Sequence, residues 1–145
     1  MSYKRESKNT DDLKREIISS ESIDEFLDEN EESFNSAEVK DLLGELVARK
    51  GITKAELARR SGMHEIYLYQ IFSGSRKPSR NKLLSLAFGL ELSFDETQHL
   101  LVQSGYAELY PKDKRDAVVI FGLTHGQTLQ EVNDYLFDKN METLI

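Results

Sequence analysis

Glycines at positions 51, 62 and 74 divide the middle of this chain into short segments, each with its own helical signals. The stretch Ile52–Ser79 reads ITKAELARRSGMHEIYLYQIFSGSRKPS. Thr53 is placed to cap a helix, with Glu56 at the capping-box position and Leu57 as its first core residue. Ala58 is small, as two closely crossing helices require. Ser61-Gly62-Met63 makes the turn: Gly62 permits positive φ and Met63 plugs the gap between helices. From about His64 to Ser73, Leu68, Ile71 and Phe72 recur at i, i+3 and i+4, and Gly74 closes the helix. Ser75-Arg76-Lys77-Pro78 is a loop, because proline disfavours helical geometry in the residue before it.

Two short helices around a glycine turn, then a glycine stop and a basic loop, form a helix-turn-helix. The physical use of that device is to lay one helix in the major groove of DNA. The neighbouring pattern is helical too. A helix begins at Asn35 or Ser36 and runs to about Lys50, with Val39, Leu42, Leu43, Leu46 and Val47 inward. Arg49 and Lys50 occupy its last turn, where the helix dipole favours cations. Ser79 caps a helix carrying Leu83, Leu84, Leu86, Ala87 and Leu90. Ser93 caps another, with Phe94, Thr97, Leu100 and Leu101 inside and Gly105 at its end.

Asp113 is placed to cap a helix with Ala117, Val118, Ile120 and Phe121 inward, closed near Gly122. Thr128 caps a last one with Leu129, Val132, Leu136 and Phe137 inward. Residues 1–20 are polar, with only Leu13, Ile17 and Ile18 as apolar content, and are expected to be poorly ordered. Within Ser20–Phe34, Ile23, Phe26 and Leu27 fall on one helical stripe, capped by Ser22 or Ser20. No segment shows sustained strand alternation. The expectation is an all-α chain of about seven helices. It has an acidic N-terminal arm at 1–35, a five-helix domain at 36–103 and a two-helix C-terminal extension at 104–145.

Net charge is −7, yet its distribution is uneven. Residues 1–35 carry 5 basic against 11 acidic side chains, 36–90 carry 10 against 5, and 91–145 carry 4 against 10. Only the middle block, which holds the motif, is drawn to a polyanion; the acidic flanks must point away from phosphates. Cysteine is absent, which excludes disulfides, thiol catalysis and thiolate metal sites. The N-terminal residues lack an apolar signal run, and no stretch approaches the roughly 20 apolar residues of a membrane span. A cytoplasmic protein without membrane contact is expected.

The segments ITKAELARRSGM, LYQIFSGSRKPS and LLSLAFGLEL resemble the Cro/phage-repressor-like (XRE) helix-turn-helix family over about residues 37–101. The resemblance implies a five-helix, repressor-like domain, often dimeric, that binds operator DNA and regulates transcription. The outward face of the 64–73 helix holds Glu65, Ile66, Tyr69, Gln70 and Ser73. In the family the first two residues of this helix and the one five further on commonly touch bases. By that resemblance Glu65, Ile66 and Gln70 are base contacts, and Tyr69 shares their face. Gln70 suits adenine, whose N6 and N7 an amide can pair, worth about 1–3 kcal/mol of discrimination. Ile66 fits a thymine methyl, and Glu65 fits cytosine N4. The sequence departs from the family at His64, where a small polar cap is usual, and in placing an acid, an isoleucine and Tyr67 and Tyr69 on this helix.

Phosphate contacts are expected from Lys54, Tyr67, Arg76, Lys77, Arg80 and Asn81, which position a domain without reading sequence. Arg59 and Arg60 lie further along their helix as ordinary surface charges. His64, His99 and His125 are too scattered for a metal site, and no phosphate loop, nucleophile elbow or calcium loop occurs. No enzymatic activity, metal or cofactor is expected. The expected partner is double-stranded DNA, bound by a homodimer because one short helix reads few bases. The C-terminal pair either forms that dimer surface or packs against the first and fifth helices of the domain. The acidic arm and the Ile66/Tyr67/Tyr69 surface also suit a different class, an antitoxin-like or adaptor module that binds a partner protein.

Overall fold

The computed structural model describes residues 10–30 and 39–145. Among them are nine helices and no strand: α1 (Thr10–Ser19), α2 (Ile23–Glu29), α3 (Val39–Lys50), α4 (Lys54–Arg60), α5 (Glu65–Ser73), α6 (Arg80–Gly89), α7 (Phe94–Gln103), α8 (Lys114–Thr124) and α9 (Leu129–Asp138). The chain divides into two compact units, Met1–Ala37 and Glu38–Ile145. No helix among the described residues is long and apolar enough to cross a membrane.

The first unit is a small helical pair. Ser22 caps α2 by accepting from Glu25 N, and Phe26 is buried. Asn30 Nδ2 donates to Glu16 on α1 (2.8 Å) and back to Phe26 O (2.9 Å), tying the two helices together. Residues 10–19 are thus helical where composition alone suggests poor order. Their apolar content stays largely outside: Ile17, Ile18, Ile23 and Leu27 are all exposed. The expected helix start at Asn35 or Ser36, and residues 1–9, lie outside the described residues.

The second unit is built around α6. Seven consecutive residues, Leu83–Gly89, are buried, so beyond its first turn this helix has no solvent face and forms the centre of the core. Helices α4, α7 and α9 pack against it, α3 and α4 pack on α5, and α8 bridges α7 and α9. Leu43, Leu57, Leu68, Ile71, Leu101, Val119, Val132, Leu136 and Leu144 share one hydrophobic core. The C-terminal helices therefore contribute to the same core as the helix-turn-helix. At the α8–α9 crossing, a Cβ on Gly122 would stand 2.5 Å from Val132 and 3.2 Å from Phe88, so only glycine allows this approach.

The caps fall where local sequence chemistry puts them: Thr53, Ser79, Ser93, Asp113 and Thr128 each accept from a backbone N–H three residues on. Two features differ from expectation. The capping box forms at Ser93 and Glu96, whereas Glu56 turns its carboxylate away from Thr53 to Arg59 Nε (3.0 Å) and Arg60 Nε (2.9 Å). Charged partners three and four residues ahead outcompete a backbone N–H. The C-terminal stripes are also narrower than the apolar pattern suggests. Helix α8 continues past Gly122 to Thr124, and Val119 is its deepest apolar residue. Phe121 is exposed and stacks on His125 (centroids 3.8 Å apart), and Phe137 is 74% exposed.

Candidate nucleic-acid interface

Helix α5 is presented by the helices around it. Leu57 and Ala58 of α4 are buried, and the turn at Gly62 has φ +64, a geometry suited to glycine. Met63 is buried in the turn, its N–H bonded to Ala58 O (2.9 Å). His64 caps α5 through Nδ1, which accepts from Ile66 N at 3.2 Å. Leu68 and Ile71 fix the inner face, and Gly74 ends the helix at φ +81. Nine residues at about 1.5 Å each make a rod of about 14 Å, a size the major groove admits.

The outer face exposes Glu65, Ile66 and Tyr69, the last two at 63% and 56%, and leaves Gln70 half-buried. Cations stand on aromatic rings around this face. Lys54 Nζ lies 5.1 Å from the Phe72 centroid and 5.9 Å from that of Tyr69. Tyr67 carries two, the Arg76 guanidinium at 4.8 Å and Lys82 Nζ at 5.4 Å. Lys77 Nζ lies 4.9 Å from Tyr106. Ring quadrupoles hold such cations without neutralising them, so their charge stays available to an anion. The 75–78 loop is braced against the end of α5, with Arg76 N (3.2 Å) and Ser75 Oγ (3.2 Å) both donating to Gln70 O.

Arg80 and Asn81 are placed differently from the other expected phosphate contacts. The Arg80 guanidinium grips buried Asp116 with two bonds, to Oδ1 (3.2 Å) and Oδ2 (3.1 Å). It also donates to Ala107 O (3.0 Å) and Glu108 O (3.1 Å). Asn81 accepts from Arg115 (2.9 Å), which in turn holds Glu142 O and Thr143 O. Both side chains, expected as phosphate contacts, are engaged in fastening the C-terminal segment to α6. Lys82 and Tyr106, by contrast, belong to the cationic face and carry no local motif. Lys82 reaches it by standing over Tyr67, fifteen residues away in sequence, a pairing only the fold creates.

Two carboxylates next to the helix-turn-helix are held in ion pairs. Arg59, then Arg60, hydrogen-bonds the Glu56 carboxyl and holds it below its ordinary value. Glu96 is likewise lowered, first by the Ser93 N–H and then by Lys50. No cluster of three His, Asp or Glu side chains able to hold a metal occurs among the described residues.

Comparison with known families agrees with this geometry. A family model described as a helix-turn-helix domain matches residues 41–100, the span from α3 to α7. No curated protein and no solved structure matches the chain. Domains of this type typically bind DNA and are typically non-enzymatic. Residues 41–100 are a helix-turn-helix domain, of the kind found in XRE-like regulators.

Proposed function

We propose that this chain is a sequence-specific DNA-binding transcription regulator that sets α5 into the major groove. Glu65, Ile66, Tyr69 and Gln70 face the base edges, while Lys54, Tyr67, Arg76, Lys77 and Lys82 meet the phosphates on either side. The observation that carries this reading is the exposed face of α5, rimmed by cations on rings from three other segments of the chain. A nine-residue helix reads few base pairs, so the regulator works as a two-fold dimer on paired half-sites. The exposed Phe121 and Phe137 of the C-terminal hairpin offer surface for the second copy.

Selection of duplexes from a random pool, followed by binding measurements over a salt series, tests the proposal. A recurring motif and an affinity that falls steeply with salt are expected. Gln70→Ala should relax preference at one position of the motif, with about 1–3 kcal/mol of discrimination lost there. An unchanged motif in that variant removes Gln70 from the reading set.

A second reading, an antitoxin-like or adaptor module, is favoured by one observation: Ile66 and Tyr69 are large and exposed on the same helix. Protein-binding faces have this composition. The absence of any duplex binding at low salt, together with capture of a partner that Ile66→Ala abolishes, would select it.

A further inference from the structure

The loop that carries Arg76 and Lys77 is fastened to a residue beyond the matched helix-turn-helix segment. Tyr106 follows the turn that ends α7, where its N–H donates to Leu101 O (2.9 Å) and that of Gly105 to Val102 O (3.0 Å). From this half-buried position its hydroxyl donates to Pro78 O at 2.7 Å. Pro78 is buried and immediately precedes Ser79, the cap of α6. The bond therefore anchors the ring against the point where the loop enters a core helix. The other end of the loop is already held by Gln70 O.

The Lys77 ammonium lies 4.9 Å from the centroid of that anchored ring. Among the described residues no carboxylate lies within ion-pair distance of Lys77. A lysine has a long flexible stem, and ordering it on a phosphate costs entropy that a prior seat reduces. We infer that Tyr106 is a positioning residue for DNA binding, its ring seating Lys77 for a phosphate contact. The inference rests on the reading of α5 and its loop as the DNA-facing surface. It makes Tyr106 part of that surface in a supporting role.

The test uses the full chain and a duplex selected from the random pool, titrated by fluorescence anisotropy over a salt series. Lys77→Ala should lower the slope of log affinity against log salt by about one, since one phosphate contact is lost. Tyr106→Leu should weaken binding about three- to tenfold at fixed salt and keep the slope, because the cation remains but is no longer seated. In a Lys77→Ala background the same change should cost under twofold, which a purely structural role would not produce. Equal losses in both backgrounds, or no loss in either, overturn the inference. Should Tyr106→Leu not fold, Tyr106→Phe decides: it keeps the ring and should bind within about twofold of the unaltered chain. A larger loss assigns the effect to the hydroxyl and overturns the seat. An unaltered chain that binds no duplex at low salt overturns both this inference and the DNA reading, whereas an effect confined to the variants bears on Tyr106 alone.

Discussion

Arg76 and Lys77 stand a few residues from Arg80 and Asn81, and the two pairs have opposite fates. The first pair sits on tyrosine rings, exposed and without a carboxylate partner among the described residues. The second points inward, with Arg80 spread over Asp116 and two carbonyls and Asn81 joined to Arg115. All four look alike in sequence as groups for a polyanion. The difference lies in what the fold brings opposite them: a ring leaves a cation's charge unspent, and a buried carboxylate consumes it. Two neighbouring pairs of similar residues thus differ in what engages them, and their sequence context alone does not show it.

The contrast can be broken most forcefully at Arg80. Arg80→Ala leaves Asp116, only 7% exposed, without its bidentate partner. Asp116 keeps its bond from Tyr110 N, so losing the part-exposed arginine should cost about 1–3 kcal/mol, read as a drop in the urea midpoint at constant slope. A stability within about 0.5 kcal/mol of the unaltered chain, together with a lower salt slope for DNA, would return Arg80 to the phosphate set.

Glu96 gives a smaller effect, and one with a sign in pH. It joins Lys50 (3.1 Å) and Arg49 (2.8 Å) to the start of α7 and is partly exposed. Its folded value lies below the ordinary 4.5, so its contribution is complete above that pH and is lost as pH falls through the folded value. Glu96→Gln keeps a side chain able to complete the capping box but removes the charge. The variant should lose about 1 kcal/mol or less at pH 7, and its stability should fall less than that of the parent below pH 4.5. Parallel pH curves would remove the charge from the account of this junction.

The smallest stability change is expected at Arg76. Arg76→Ala should leave the melting transition unchanged, within about 0.5 kcal/mol, as surface substitutions do. It should nevertheless lower the salt slope of DNA binding by about one. Measuring both quantities for Arg76 and Arg80 side by side sharpens the contrast, because each residue should move only one of them.

Much of the fold was readable because caps and glycine stops act within a few residues. Thr53, Ser79, Ser93, Asp113 and Thr128 signal helix starts through bonds to N–H groups three positions on. The stripe of Leu68 and Ile71 likewise defines the inner face of α5. What could not be read depends on distant partners. Asp116 meets Arg80 across 36 residues, and nothing local marks either as half of a pair. Lys82 reaches the cationic face only because α6 passes Tyr67. Phe121 and Phe137 fall on apolar stripes, but the core is wide enough to cover only part of each stripe.

The grip of Arg80 on Asp116, Ala107 and Glu108 has one more consequence, for where the chain may safely be cut. A fragment trimmed to the recognisable motif at 41–100 would keep the arginine and discard everything it holds. It would also open the lid of α6, stripping Val132, Leu136 and Leu144 from its core. A self-sufficient piece must therefore extend beyond residues 41–100 and take in core residues as distant as Leu144.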